Sequence, residues 1–478
     1  MKKLILFGAG FYGKSTYYKL HDRFEILYFA DNNPNMEGKE LFGIPIILGN
    51  KIREVYTSDT DIIICTRSHA SISTQLIGMG ITDYYIMMEG FLYHTNSEDI
   101  MSPVEINKYA YLHKRQNEKN ILFVQNSPCI RTHKIASMMN GEGYCVYLLY
   151  TLGLPENSNQ EYMNIYKNIY TFSSASGITD FIENSDFDLI HSSNTPDILT
   201  ALALMTSKPL VFDTHDMNGI SGYDSIEDLT LEYIANVKSD GNIYTSDGVA
   251  EIAKKRFGIA GKEIFSLENM ILEQEEIAEP YEKLSHIDGE IHCVYEGGIV
   301  GNNTENERFF ENIWKKIADY GIHIHYYSQA DPLYCKDLGK KNYYFHYEGN
   351  MGTKELVKEM TKYDCGLAVF NVTEKNKIFL ETGTANKMYE YINAQLPVIV
   401  GEVQSYQKFV KRYGVGISLD ITRNIKEQIE NACKIRISPN FLEENNLTMK
   451  SRSKELAEFY ERVKKKAVKD RIKGRAGY

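Results

Sequence analysis

The chain has 478 residues, 43% of them hydrophobic and 24% charged, a composition that builds about three globular domains at this length and excludes a disordered or fibrous chain. Its formal net charge is −11, which argues against nucleic acid as the main partner, because neutralising phosphates takes a broad basic surface. The seven cysteines (Cys65, Cys129, Cys145, Cys293, Cys335, Cys365 and Cys433) are odd in number and never spaced Cys-x-x-Cys, so neither a disulfide framework nor a cysteine zinc site is expected, and reduced thiols in cytoplasm fit.

The opening MKKLILFGAG is too short in apolar run for a signal peptide, and no stretch approaches the ~18 apolar residues of a spanning helix. A soluble or membrane-peripheral protein is expected. Residues 1–90 alternate strand and helix. Lys3–Phe7 is an apolar run, Gly8-x-Gly-x-x-Gly13 opens a helix reaching His21, and Glu25–Phe29 ends at Asp31; Asp61–Thr66, a helix at Ala70–Met79 and a strand at Tyr84–Met88 follow. That order implies a parallel sheet.

The glycines suit a phosphate-binding βα turn. Gly8 permits a tight turn, Gly10 lets backbone approach an anion, and Gly13 allows close helix–strand packing. Asp31 stands where a carboxylate reaches ribose hydroxyls. A glycine-rich turn that binds nothing remains the alternative. Four strands before residue 90 are fewer than a full dinucleotide domain uses, so a mononucleotide or nucleotide-sugar fits better than NAD.

Residues 91–118 lose the alternation and read as a linker, with one helix near Val104–Arg115. At Asn120 it restarts, with strands at Ile121–Gln125, Tyr144–Tyr150, Phe187–His191, Pro209–Asp213 and Asn242–Thr245. The Glu-rich stretch 272–290 is a second hinge candidate. Strands resume at Ile291–Glu296, Ile322–Tyr327, Tyr343–Tyr347, Cys365–Phe370 and Pro397–Gly401, and helices close the chain. The fold class is α/β, with three doubly wound Rossmann-like units. The expected domains are 1–90, a linker at 91–118, 119–285, 286–420, and C-terminal helices with a basic tail at 421–478.

Three places in the later units carry chemistry. His215 ends a strand, at the edge where open α/β sheets bind ligands; it is either a sugar or phosphate contact or a satisfied structural imidazole. Gly297-Gly298 follows the strand His292–Glu296, where bare amides hold a diphosphate. Arg308, expected in the next helix, either neutralises phosphate or is a solvated surface residue. The stretch from Glu381 to Gly401 is the most informative. Thr384 is the expected N-cap of a helix from Ala385 to about Ala394, with Met388, Tyr391 and Ile392 on its buried face. Gly383 and Thr384 amides at its positive end suit a diphosphate. Lys387 adds charge, and Glu390, one turn on, accepts ribose hydroxyls. A surface Lys–Glu pair is the plainer alternative.

Two resemblances follow. FGAGFYGKSTYYKL and FADNNPNMEGKELFGIPI resemble a small Rossmann-like domain of bacterial polysaccharide-biosynthesis proteins that binds nucleotide-sugars. DFDLIHSSNTPDILTALAL, KPLVFDTHDMN, IYTSDGVAEIAKKRFG, VYEGGI and above all TANKMYEYINAQLPVIVG resemble glycosyltransferases of the two-Rossmann (GT-B) fold, of the retaining family-4 (group 1) kind, over roughly 119–420. By that match the last two units form a GT-B fold that transfers a sugar from a nucleotide-sugar donor without a metal or other cofactor. Glu390 binds the ribose, Gly297, Gly298, Gly383 and Thr384 line the diphosphate, and His215 reaches the transferred sugar or the reacting centre. Glu381 is the candidate donor-sugar contact, one residue farther from Glu390 than in the family's glutamate pair. Arg308 and Lys387 stand in for the family's Arg and Lys after the glycine pair.

The resemblance implies a role in bacterial capsule or O-antigen synthesis, on a lipid-linked or glycan acceptor. The basic run Arg462, Lys464, Lys465, Lys466, Lys469, Arg471, Lys473 and Arg475 suits an anionic membrane surface, or is a solvated helix end. Two other functions remain. One is an NAD-dependent nucleotide-sugar oxidoreductase or epimerase centred on residues 1–90. The other is a non-catalytic nucleotide-sugar-binding component of a glycan assembly complex.

Overall fold

The computed structural model describes residues 2–95, 109–155, 160–194, 197–222, 225–274, 276–277, 279–328, 331–383 and 385–475. Among the described residues, twenty strands form three sheets. The first holds β1 (Lys3–Phe7), β2 (Glu25–Asp31), β3 (Glu40–Leu41), β4 (Ile44–Leu48), β5 (Thr60–Ile64), β6 (Tyr85–Met88) and β7 (Phe91–His94), in the order β3-β4-β2-β1-β5-β6-β7. Its edges are antiparallel, β3 on β4 and β7 on β6, and its interior is parallel. Six strands therefore precede residue 90, where the sequence reading counts four. The missed ones are the short β3 and the Pro-containing β4, whose turn-rich surroundings hide them. The size argument against a dinucleotide-type sheet falls with that count.

The second sheet comprises β8 (Asn120–Val124), β9 (Cys145–Tyr150), β10 (Asn168–Thr171), β11 (Leu189–Ser193), β12 (Leu210–Thr214), β13 (Gly241–Tyr244) and β14 (Glu263–Ser266), ordered β10-β9-β8-β11-β12-β13-β14. The third comprises β15 (Ile291–Glu296), β16 (Ile322–Tyr327), β17 (Phe345–Gly349), β18 (Cys365–Ala368), β19 (Val398–Val400) and β20 (Gly416–Ser418), ordered β17-β16-β15-β18-β19-β20 and parallel throughout. Parallel strands covered on both faces read as unbroken apolar runs; Leu122, Phe123 and Val124, and Val398, Ile399 and Val400, are fully buried.

In each sheet the first strand in sequence sits between neighbours reached in opposite directions: β1 between β2 and β5, β8 between β9 and β11, β15 between β16 and β18. The carboxyl end of such a strand is the topological switch point, where neighbouring loops part and leave a crevice. Those ends are Gly8, the Gln125–Cys129 loop and Gly297-Gly298.

The chain divides into two compact units. One is Met1–His215 with Ile226–Asn242 and Ala457–Tyr478; the other is Asp216–Ser225 with Ile243–Leu456. Within the first unit the N-terminal and middle sheets are tied by polar contacts. Lys19 Nζ donates to the carbonyls of Gly90 (2.9 Å), Phe172 (2.7 Å) and Thr151. Phe91, on β7, is buried with Val124, Leu149 and Phe172. β7 falls inside the stretch 91–118. Of the helix expected at Val104–Arg115, residues 104–108 lie outside the described residues and 109–115 is not helical.

The helix Ser453–Arg475 rejoins the first unit from Ala457. Leu456, Phe459, Tyr460, Val463 and Ala467 are buried along it, so as far as Ala467 it is packed rather than a solvated end. Among the described residues, no helix is long and apolar enough to cross a membrane.

Candidate functional site

The strongest constellation lies in the second unit, at the carboxyl end of β15. Gly297 has φ +121, a left-handed conformation that disfavours any side chain. Lys387 Nζ lies 3.2 Å from where a Cβ on Gly297 would stand, and an Arg308 guanidinium nitrogen 2.6 Å from the same point on Gly298. Two cations thus flank a bare glycine pair. Arg308 reaches this position from a loop, not from the helix Glu311–Ala318 where the sequence places it. The reason is local: Val300 N donates to the Arg308 carbonyl at 3.0 Å, folding the segment back on itself, and Arg308 N donates to Asn306 Oδ1 at 2.9 Å.

Lys387 is on the helix Asn386–Asn393, held by the buried side chains of Met388, Tyr389, Tyr391 and Ile392, each worth about 1.5–3 kcal/mol of burial. A Cβ on Gly366 of β18 would lie 2.2 Å from the Tyr391 ring, so the bare strand is what lets that ring seat the helix. The Lys387 side chain is only 8% exposed. Its ammonium lies 4.1 Å from the Tyr295 ring centre and 5.0 Å from that of Phe370, an arrangement that favours cations. Among the described residues it makes no hydrogen bond and no ion pair. Burial pushes its pKa down to about 8, with Glu296 opposing the shift. A nearly buried ammonium left without an anion is set to receive one.

The other donor-side residues divide. Glu390 is half-buried on the same helix, one turn past Lys387. Glu381 accepts from the amides of Gln404 (2.9 Å) and Ser405 (3.3 Å) and so caps the helix Gln404–Tyr413. Gly383 ends the helix Lys377–Thr382, its carbonyl accepting from Ser405 Oγ at 3.3 Å. Thr384 lies outside the described residues, and the N-cap position of the Lys387 helix is Ala385.

In the first unit, the Gly8–Gly13 turn has the geometry its glycines suggest. A Cβ on Gly8 would lie 2.7 Å from the Cys65 carbonyl oxygen and one on Gly13 1.8 Å from that of Gly8, while one on Gly10 would meet nothing within 4 Å. Tight packing thus surrounds one open approach. Asp31 accepts from the Ala9 and Asn33 amides, each at 2.9 Å, through its two oxygens. Its observed task is stapling the turn.

His215 sits just past β12, in the first unit, within a buried charge chain. Its Nε2 is 2.9 Å from Asp213 Oδ2, and its Nδ1 is 3.5 Å from Cys129 Sγ. Arg131 grips Asp213 through Nε (3.1 Å) and a terminal nitrogen (2.9 Å). The Asn194 side chain accepts from the His215 amide at 2.7 Å. Cys129 is the N-cap residue of the helix Ile130–Gly141. Burial pushes its thiol up, but the His215 charge and hydrogen bond outweigh this and bring it down to about 6. Burial pushes His215 down, and the Cys129 and Asp213 charges outweigh it, lifting it to about 10. The two shifts run in the directions that favour a thiolate–imidazolium pair. Sequence reading finds His215 alone, because Cys129 is joined to it by topology rather than spacing. Asp213, two residues before His215 on the same strand face, was the one available signal.

Residues 300–438 match the family described as "Glucosyltransferase 3-like, C-terminal domain", and residues 1–87 the family "C2185-like, N-terminal". No curated protein matches the chain by sequence. Among solved structures, AviGT4, a glycosyltransferase involved in avilamycin A biosynthesis, is similar at 13% identity with TM-score 0.44, covering 72% of this chain and 98% of its own. WaaG, a glycosyltransferase involved in lipopolysaccharide biosynthesis, is similar at 13% identity and TM-score 0.44, over 73% of this chain and 95% of its own. HepE of Anabaena, in complex with UDP and glucose, is similar at 13% identity and TM-score 0.47, over 74% of this chain and 100% of its own. Arg308, Glu381, Gly383, Lys387 and Glu390 all fall within the residues similar to that glucosyltransferase C-terminal domain.

Proposed function

We propose that the protein transfers a sugar from a nucleotide-sugar donor, with retention and without a metal, to a lipid-linked or glycan acceptor of bacterial capsule or O-antigen synthesis. The observation that carries this reading is the Lys387 ammonium, nearly buried, in no ion pair among the described residues, and set against the bare Gly297 beside Arg308. A nucleoside diphosphate is the leaving group of such a transfer, and its developing charge is what two fixed cations and exposed amides stabilise. Glu390 then holds the ribose. Glu381 serves the fold and not the donor. His215 keeps the role the resemblance implies, contact with the transferred sugar or the reacting centre. The Gly8–Gly13 turn is a second nucleotide-sugar site in this reading, with Gly10 as the point of approach. The exposed Arg462, Lys465 and Lys469 are the residues that would meet an anionic membrane. The test is calorimetric titration with nucleoside diphosphates, followed by donor hydrolysis over a panel of nucleotide-sugars. Binding and turnover of one nucleotide class support the reading; no diphosphate binding by the folded protein ends it.

A further inference from the structure

At the opposite end of the third sheet, where its strands begin, four histidines meet. Parallel pairing sets His292 of β15 beside His323 of β16, and His325 of β16 beside His346 of β17. The His292 and His323 rings stack with centroids 4.5 Å apart. Two carboxylates from the turn before β15 reach them: Asp288 Oδ2 is 3.0 Å from His292 Nε2, and Glu290 Oε2 is 2.5 Å from His323 Nε2. Behind them, His292 Nδ1 is 2.9 Å from His325 Nε2, and His325 Nδ1 is 2.7 Å from Glu348 Oε1. His323 Nδ1 is 2.8 Å from His346 Nε2.

The row Asp288–His292–His325–Glu348 has three contacts of hydrogen-bond length, and each needs one proton between its atoms. Two neutral imidazoles supply one N–H each. The row is one positive charge short, whichever tautomers are written. The row Glu290–His323–His346 needs two protons and its imidazoles carry two, so it is balanced. The missing charge is either a third proton or a cation at the open, Asp288 end. A third proton creates either an imidazolium among three other imidazoles, where His292, His323 and His325 are 4–6% exposed, a costly place for a charge, or a neutral carboxylic acid at one end of the row, against the ordinary ionisation of a carboxyl at neutral pH.

The open end has the shape of a ligand set. Asp288, His292 and His323 each present one ligand atom, all within 4.8 Å of one another. The side chains of Asp288 and Glu290 are 44% and 47% exposed, so an ion arrives from solvent without unfolding anything. We propose that Asp288, His292 and His323, with Glu290 beside them, bind a divalent first-row transition ion of the zinc class. Imidazole nitrogens with carboxylate oxygens suit Zn²⁺, whereas Mg²⁺ and Ca²⁺ prefer all-oxygen shells. Ligands at ~2.0–2.2 Å from one ion stand roughly 3–4 Å apart, so the widest separation, up to 4.8 Å, closes by about 1–2 Å. With the ion on His292 Nε2, His292 Nδ1–H donates to His325, and His325 Nδ1–H donates to Glu348. Every contact in the row is then satisfied, and the metal-bound imidazole gains the outer support that tunes such ligands. The ion clasps the 288–290 turn onto β15 and β16, away from Gly297. The proposal does not depend on the sugar-transfer reading.

The test uses the tag-free full chain after chelator treatment, titrated with Zn²⁺ by calorimetry and with Co²⁺ by visible absorption. The expected result is one ion per chain, histidine-type Co²⁺ absorption bands, and binding weakened by about tenfold or more in both Asp288→Asn and His323→Ala. Excess Mg²⁺ should not compete. Because His323 packs in the sheet, Asp288→Asn, on a half-exposed carboxylate, carries the test if His323→Ala unfolds, with circular dichroism confirming the fold. No Zn²⁺ binding at micromolar concentration by the folded parent, or equal binding by Asp288→Asn, overturns the site and leaves a third proton as the charge in the row.

Discussion

Lys387 Nζ stands 3.2 Å from the point a Cβ on Gly297 would occupy, so the missing side chain of one residue is the working space of the other. Anion binding should therefore hinge on this ammonium. Lys387→Met keeps most of the stem and removes the charge. Nucleoside-diphosphate affinity should drop by ~10–100-fold, the equivalent of the ~1.5–3 kcal/mol of a charge-assisted hydrogen bond, with the thermal midpoint little changed. The pH dependence has a definite sign. Burial lowers the Lys387 pKa to about 8, so the group is charged below that pH and discharges above it. Affinity in the parent should hold at neutral pH and fall as pH rises past about 8, and the Lys387→Met profile should be flat there. Calorimetry across that range decides it.

Glu390 and Glu381 should behave in opposite ways. Glu390→Ala should weaken diphosphate binding strongly and leave the fold intact. Glu381 caps the helix Gln404–Tyr413 through two amides. Glu381→Ala should cost about 1 kcal/mol of stability, the usual worth of a cap, and leave affinity unchanged. Paired thermal melts and calorimetry separate the two, and a swap of these outcomes would reverse the assignment.

The reach of sequence reading follows from which interactions are local. The helix around Lys387 is legible because Met388, Tyr391 and Ile392 repeat at helical spacing, and the Gly8–Gly13 turn because Gly8 and Gly13 answer to contacts within a few residues or one strand away. β3 and β4 are not legible, the first because two residues show no period and the second because Pro45 inside the run argues against a strand. Arg308 is misplaced because its loop folds back through a contact with Val300. The Cys129–His215 pair and the histidine rows depend on which strands lie side by side and in what register. Nothing in the spacing of His292, His323 and His346 announces that β15, β16 and β17 are adjacent.

Cys129 should be the reactive thiol of this chain. Its Sγ is 3.5 Å from His215 Nδ1, and its pKa is brought down to about 6. Alkylation by iodoacetamide should rise through a midpoint near 6, where an ordinary thiol rises near ~8.5. His215→Ala should return the midpoint to that range. Mass spectrometry reads the modified site, with a small free thiol in the same tube as the reference. A midpoint for Cys129 equal to that of the free thiol would remove the thiolate–imidazolium pair.

Asp213 ties that pair to the core, and Arg131 is what permits its charge there. The two side chains are 0% and 2% exposed. Burial raises the Asp213 pKa and the Arg131 and His215 charges outweigh it, holding the carboxyl well below the usual range. Such a group contributes stability above its unfolded pKa, and the contribution is lost as pH falls through the folded value. Arg131→Met leaves a buried carboxylate without its bidentate partner and should cost ~3–5 kcal/mol. The doubly substituted Arg131→Met, Asp213→Leu chain should recover part of that loss, because no stranded charge remains. Chemical denaturation of the two variants reads this directly, and a single variant as stable as the parent would show that Asp213 needs no counter-charge.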